Sequence, residues 1–115
     1  MPTEIKRDGP ENDDAYSDDA PLTHVFGESG KVKILSALLS ERDHDLTISD
    51  IHKISGVARS TVYENIGELQ EMGLVVKTRE RGGSQMYQIN TDNEIVDHIS
   101  KVEELAFERL LELER

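Results

Sequence analysis

The sequence contains no cysteine and no tryptophan, and it has few aromatic residues of any kind. The absence of cysteine excludes disulfides, thiol catalysis, thiol-based redox sensing and cysteine-based zinc sites. With only two phenylalanines and three tyrosines, the core must be small and largely aliphatic. A core of that size in 115 residues is marginal alone, and association with a second copy is a common remedy.

Long apolar runs are also missing. No stretch approaches the roughly 20 residues that a membrane-spanning helix needs. The acidic N-terminal segment does not resemble a signal peptide. We therefore expect a soluble, cytoplasmic protein with no membrane partner.

Negative charge is in excess, with a formal net charge of −11 at pH 7, whereas a protein that binds nucleic acid usually carries a basic patch. The excess lies in the flanks, because residues 1–22 carry seven acidic and two basic side chains and residues 92–115 carry eight and three. Residues 23–91 are nearly balanced, with nine and eight. A central region with its basic groups on one face could therefore still bind phosphate. An acidic surface also suits a high-salt cytoplasm, although an ordinary acidic protein has the same composition.

These patterns divide the chain into three parts. Residues 1–21 are acidic, interrupted by proline and poor in large apolar side chains, which predicts a disordered tail. Residues 22–91 have the apolar spacing of one small domain. Residues 92–115 have the spacing of a long amphipathic helix.

The first half of the domain predicts two helices before a tight turn. An aliphatic stripe at helical spacing predicts a helix over about residues 29–41. Residues 46–48 predict a short strand, and Ser49 is a good N-cap for a helix over residues 50–55. Gly56 then permits the left-handed turn that a bulkier residue would resist.

The next helix is predicted to begin near Arg59 and to end at Gly73. Val62, Ile66 and Leu69 recur at helical spacing and should be buried. This phase leaves short polar side chains and one arginine outside the core, where they could contact bases and phosphates. These candidate DNA-binding residues are Arg59, Ser60, Thr61, Tyr63 and Asn65.

Each of these side chains has functional groups that can contact DNA. Taken singly, each is also explained as an ordinary surface residue. Arg59 could pair with guanine or a phosphate, and Asn65 could pair with adenine. Ser60 and Thr61 suit phosphate contacts near the helix N-terminus. Three carboxylates of the same helix oppose DNA binding, namely Glu64, Glu68 and Glu71, although Glu68 and Glu71 should lie farther along the helix, away from the groove.

A hairpin is predicted after this helix, with strands over residues 74–79 and 85–90 and glycines in the turn. Basic side chains at period two share one face, which could clamp flanking phosphates or follow the minor groove. A solvated hairpin is the simpler alternative. The candidate contacts are Lys77, Arg79, Arg81, Ser84 and Gln85, with Lys31 and Lys33 of the first helix as weaker candidates.

The last 24 residues predict one long helix, with a capping box over residues 91–94. Its apolar stripe is longer than a domain of this size should cover, so we expect a partner helix from a second copy. Folding back along the first helix is the alternative. The predicted dimer interface consists of Ile95, Ile99, Val102, Ala106, Leu110 and Leu113.

The residue pattern gives little support for metal binding or catalysis. The four histidines have no spacing typical of a metal site. No nucleophile–base arrangement, paired carboxylates or phosphate-binding loop is visible, so we expect no catalytic residue, no metal, no cofactor and no enzymatic activity.

Two segments carry a family resemblance. Residues 56–63, Gly-Val-Ala-Arg-Ser-Thr-Val-Tyr, and residues 69–75, Leu-Gln-Glu-Met-Gly-Leu-Val, resemble winged-helix transcriptional regulators of the TrmB-like and MarR/ArsR-like groups. Residues 26–35 are similar to small oxidative-stress regulators of halophilic archaea. The resemblance covers about residues 25–113. It implies a homodimer joined by the last helix, with two recognition helices in major grooves and wings beside them.

The expected fold class is α+β, mainly α, as a winged helix-turn-helix with a long C-terminal dimerisation helix. The expected function is sequence-specific regulation of transcription by a homodimer on double-stranded DNA. The alternative is a winged-helix module that binds another protein and no DNA. A small-molecule effector is not expected, because no effector-binding domain of the kind found in longer sugar regulators accompanies these segments.

Overall fold

The computed structural model describes residues 19–114. The predicted disordered tail therefore lies outside the described residues, except for its last three positions. Pro21 belongs to those three, and it is buried at the start of a helix rather than disordered. The elements in chain order are α1 (Pro21–Phe26), α2 (Gly30–Ser40), α3 (Ile48–Ser55), α4 (Arg59–Glu71), β1 (Val75–Arg81), β2 (Ser84–Ile89) and α5 (Glu94–Leu113).

The core is aliphatic, as the composition predicts, and it lies between helices α2 to α4 and the hairpin. Val62, Ile66 and Leu69 are buried, so the predicted phase of α4 is confirmed. From β2, Tyr87 and Ile89 join the same cluster. Burying each such side chain contributes about 1.5–3 kcal/mol to the free energy of folding. This energy fixes which side of α4 faces the core and which side faces outward. The predicted α+β, mainly helical class is confirmed.

Helix α3 begins two residues earlier than predicted. Thr47, not Ser49, is its N-cap, and the Thr47 hydroxyl accepts a bond of 3.1 Å from the Asp50 backbone N–H. The Asp50 carboxylate accepts in return from the Thr47 N–H at 3.0 Å, which completes a capping box. The predicted strand over residues 46–48 is reduced to one bridge, in which Leu46 pairs with Tyr87 of β2.

The turn between α3 and α4 has the expected geometry. Gly56 has a φ of 73°, in the left-handed region that favours glycine, and its N–H donates to the His52 carbonyl at 2.9 Å. The His52 ring nitrogen Nδ1 lies 2.8 Å from the Val57 carbonyl oxygen. The His52 side chain of α3 thus contacts the backbone that leads from the turn into α4.

The hairpin is antiparallel, with Lys77 opposite Tyr87 and Arg81 opposite Ser84. Its two-residue turn consists of glycines with positive φ. The pairing register shifts between Lys77 and Glu80, which is the mark of a β-bulge. The predicted period of two therefore breaks inside β1, and its three basic side chains do not form one continuous row.

Helix α5 begins at Glu94, and the predicted capping box over residues 91–94 does not form. Asn93 is the N-cap instead, and its side-chain oxygen accepts from the Ile95 N–H at 2.7 Å. The side-chain amides of Asn90 and Asn93 donate to the Gly73 carbonyl at 2.9 and 3.0 Å. These bonds tie the entry of α5 to the end of α4 and leave residues 91–93 as a turn. Among the described helices, none is both long and apolar enough to cross a membrane.

Candidate nucleic-acid interface

The N-terminus of α4, the start of α3 and the tip of the hairpin surround one cleft of about 230 Å³, called here the wing cleft. Arg59 and Tyr63 line it from α4, and Ser84 and Gln85 line it from the hairpin. Four predicted site residues from two separate elements are therefore neighbours. Because Arg59 and Tyr63 are four residues apart, they lie on one side of α4, next to the hairpin.

The start of α3 contributes a residue to this cleft that the sequence prediction had assigned elsewhere. Ser49 lines the wing cleft, and its hydroxyl is not used as the helix cap because Thr47 caps α3. The Thr-x-x-Asp spacing from Thr47 to Asp50 is the signal that would have identified the true cap. Ser49 would then have remained available as a candidate contact.

Thr61 and Asn65 lie on the opposite side of α4, against the start of α2. Asn65 is half-buried, and its side-chain amide donates to the Thr61 carbonyl at 2.9 Å. A Cβ added to Gly30 would be 3.1 Å from the Thr61 methyl and 3.9 Å from the Asn65 amide nitrogen. Both residues thus belong to the α2–α4 contact. Their DNA contacts stay predictions, and this placement weakens the pairing of Asn65 with adenine.

Lys31 lies beside α4, and neither Lys31 nor Lys33 lines the wing cleft. Lys31 forms an ion pair with Glu68. The pair joins the two helices and offsets a carboxylate that was expected to oppose DNA binding. Lys33 lies two residues further along α2 and is half-buried.

Arg79 holds the hairpin against the loop that precedes α3. Its guanidinium donates to the Asp45 carboxylate from Nε at 2.9 Å and from Nη2 at 3.2 Å. The Thr78 hydroxyl donates to the same carboxylate at 2.6 Å. The Arg79 bond first, and the Thr78 bond second, lower the pKa of Asp45 to about 2. The same pairing raises the pKa of Arg79. The charge of Arg79 is therefore largely engaged within the protein.

Three other basic side chains on this surface have no such partner. In the part of the chain that the structure describes, Arg59, Lys77 and Arg81 take part in no ion pair, and all three are exposed. Their positive charges face solvent at the N-terminus of α4 and along the hairpin. This arrangement gives a surface that can attract phosphate despite the acidic flanks.

The predicted dimer stripe on α5 is divided between two environments. Ile99 and Val102 pack against the core of their own chain, and the helix that lies against α5 is α1 rather than the helix over residues 29–41 named in the alternative prediction. Ile95 is 45% exposed and Leu113 is 70% exposed. Leu105, outside the predicted stripe, is 53% exposed. The uncovered apolar face is therefore shifted around the helix from the predicted one.

A second apolar surface lies between α1 and the C-terminal half of α5. Ala20 and Pro21 face Phe107, Leu110 and Leu111 across a groove of about 520 Å³. Leu110 and its neighbours therefore lie on the side of α5 that faces α1.

The described residues include no group of three histidine, aspartate or glutamate side chains that could hold a metal ion.

Helices α2, α3 and α4 followed by a two-stranded hairpin, with the hairpin tip beside the N-terminus of α4, define a winged helix-turn-helix. The family model described as sugar-specific transcriptional regulator TrmB matches residues 30–91, which is more than half of the chain. The chain therefore belongs to the TrmB family of transcriptional regulators. Members of this family act in DNA-binding regulation and are not enzymes, which confirms the expected absence of enzymatic activity.

Solved structures support the same fold. The homodimeric DNA-binding domain of a possible ArsR-family regulator from Mycobacterium bovis is 23% identical, with a TM-score of 0.54 and 80% of each chain covered. A MarR-family regulator from Silicibacter pomeroyi is 20% identical, with a TM-score of 0.58 over 83% of this chain and 66% of the other.

A third structure describes a regulator whose DNA binding is regulated by 6-hydroxynicotinic acid, BpsR of Bordetella bronchiseptica. It is 17% identical, with a TM-score of 0.53 over 70% of this chain. This chain spans 58% of the length of BpsR. A comparison with curated proteins gives no match.

Proposed function

We propose that this TrmB-family chain is a sequence-specific regulator that binds double-stranded DNA with α4 in the major groove. The observation that carries the proposal is the wing cleft, where Arg59 and Tyr63 of α4 meet Ser84 and Gln85 of the hairpin. A surface formed jointly by a recognition helix and a wing can contact base edges and flanking backbone at once.

The charge arrangement supports this orientation. Arg59 is exposed in the first turn of α4, where backbone N–H groups are also free to bind an anion. Lys77 and Arg81 are exposed on the hairpin and unpaired among the described residues. We assign phosphate or minor-groove contacts to these two side chains. Arg79 has a structural role instead, because Asp45 holds it.

We further propose that the regulator is a homodimer. The exposed apolar side chains of α5, Ile95, Leu105 and Leu113, need a cover, and a second copy of the same helix supplies one by symmetry. Two recognition helices would then read a pseudo-palindrome with half-sites about one helical turn apart, or a multiple of that distance.

A cytoplasmic location and adaptation to high salt remain expectations from the sequence.

The test is selection of double-stranded DNA from a random library by the full chain, followed by affinity measurements on the enriched sequence. The double variant Arg59→Ala/Arg81→Ala should weaken binding and reduce the slope of log affinity against log salt by about 0.9 for each phosphate that is no longer neutralised. Lys53→Ala on α3 is the control, because it also removes an exposed positive charge, from a residue that does not line the wing cleft. Failure of the wild type to enrich any DNA, together with a stable protein partner, would favour the protein-binding alternative.

A further inference from the structure

The most outward line of α4 contains, besides Ser60, residues that were expected to oppose DNA binding or to take no part in it. With 100° per residue, Val62, Ile66 and Leu69 fix the buried direction of the helix. The opposite direction passes through Ser60, Glu64, Gly67 and Glu71, and all four are exposed. Arg59 and Asn65 lie on the two flanks instead. A groove that receives this face of α4 meets the outward line first.

We infer that Glu64 reads a cytosine in the major groove, an inference that rests on the proposed DNA binding. A carboxylate can accept a hydrogen bond from the cytosine N4 amino group. Adenine N6 is the other amino donor in that groove, but the N7 acceptor beside it repels a carboxylate, so cytosine is favoured. In the described part of the chain, Glu64 has no ion pair and no hydrogen bond, so its acceptors are free. This differs from Glu68, which Lys31 holds.

The neighbours of Glu64 on the outward line are small. Ser60 lies one turn before it and Gly67 about one turn after it, so Glu64 is the long side chain between two short ones. It therefore projects beyond its neighbours on the line. A groove that approaches closely enough to contact Ser60 and the backbone at Gly67 would receive the Glu64 carboxylate at its floor.

Gly67 is a separate observation that points to a close approach. Glycine in the middle of a helix is unfavourable, and no contact among the described residues requires it here. In residues 19–114, a Cβ built at Gly67 meets no atom within 4 Å beyond the backbone of its own helix, whereas one built at Gly30 meets Thr61 at 3.1 Å. Gly30 is thus explained by packing within the chain, and Gly67 is not. A bound duplex that comes near the helix backbone explains it.

The experiment compares base preferences of the full-length wild type, Glu64→Gln and Glu71→Gln by selection from the same random duplex library. The wild type should enrich cytosine at one position of each half-site. Glu64→Gln should reduce that preference by roughly five- to a hundredfold and shift it toward adenine, because glutamine pairs with adenine N6 and N7. Preferences at the other positions should not change.

Glu71→Gln is the matched control, since it removes the same charge from the same line of α4 about 10 Å further along the axis. It should change affinity evenly for all sequences. Equal, sequence-independent gains in affinity for both variants would overturn the inference and leave DNA binding intact, because Glu64 would then only repel the duplex. If the wild type enriches no sequence, the proposed function fails, and this inference fails with it.

Discussion

Replacing Gly67 with alanine should stabilise the protein and weaken its DNA binding. Within the described part of the chain, the added methyl group meets no atom within 4 Å beyond the backbone of its own helix, so no clash there offsets the gain in helix propensity. That gain is about 0.5–1 kcal/mol for glycine to alanine in a helix interior. For a domain of this size it corresponds to a rise in Tm of roughly 2–8 °C.

The same substitution, Gly67→Ala, is expected to lower the affinity for DNA. A methyl group forced into a well-packed contact costs about 1–3 kcal/mol, which is roughly a five- to hundredfold rise in Kd for the selected duplex. Thermal unfolding followed by circular dichroism measures the first effect, and fluorescence anisotropy with labelled duplex measures the second. A higher Tm with unchanged affinity would refute the reasoning that DNA approaches this face of α4.

Gly30→Ala is the control, because the same methyl group is added where the space is occupied. The new Cβ would be 3.1 Å from the Thr61 methyl, and the branched Thr61 side chain has little freedom to move in a helix. We therefore expect a lower Tm for this variant. If both alanine variants raise Tm equally, the packing of α2 on α4 is not as close as described.

Three further predictions concern acid stability, a buried carboxylate and assembly. Asp45→Asn should be less stable than the wild type at neutral pH, and the difference should vanish as pH falls from about 4 to about 2, because the lowered pKa of Asp45 makes its bond to Arg79 favour folding only while the carboxylate is charged. Glu103→Gln should raise Tm at pH 7, because burial raises the pKa of Glu103 and the ionised form therefore opposes folding above about pH 4.3. Ile95→Gln/Leu105→Gln should raise the dimer dissociation constant roughly a hundredfold or more, because each side chain is about half exposed in the monomer, so about half of the 1.5–3 kcal/mol for full burial is lost at each of four positions in the dimer.

Each of these three has a measurement and a contradicting result. Urea unfolding across pH checks Asp45→Asn, and a difference from wild type that persists at pH 2 would exclude the ion pair as its cause. The side chain of Glu103 is only 13% exposed, and its Oε2 is buried without a hydrogen-bond partner among the described residues. A fall in Tm for Glu103→Gln would mean that its 3.5 Å contact with Arg42 outweighs burial. Sedimentation checks assembly, with Glu108→Gln on the charged side of α5 as control, and a wild-type monomer at micromolar concentration would contradict the dimer.

Periodic features could be predicted from the sequence because burial imposes them directly. The stripe of Val62, Ile66 and Leu69 orients α4 wherever its neighbours lie, since those aliphatic side chains must leave water. Gly56 and the two hairpin glycines are likewise local, because a positive φ is a property of a single residue. The fold class and family resemblance follow from such local and periodic signals.

The predictions from sequence were wrong where tertiary contacts decide between conformations that the local sequence allows equally well. Thr47 and Ser49 are both good caps, and the bridge between Leu46 and Tyr87 keeps the chain extended up to Leu46, so that Thr47 takes the cap. The flanks of α4 cannot be told apart by phase alone, because only the position of α2 decides that Asn65 faces protein. The bulge in β1 and the engagement of Arg79 by Asp45, 34 residues away, leave no periodic trace in the sequence.

The central claim is that α4 and the hairpin together form the DNA-binding surface. Backbone amide chemical shifts of the full chain, recorded by NMR with and without the selected duplex, test this residue by residue. We predict the largest changes at Ser60, Glu64 and Gly67 on α4, with a second group at the hairpin turn. Changes confined to α1 and α5, with α4 and the hairpin turn unaffected by DNA, would contradict the claim.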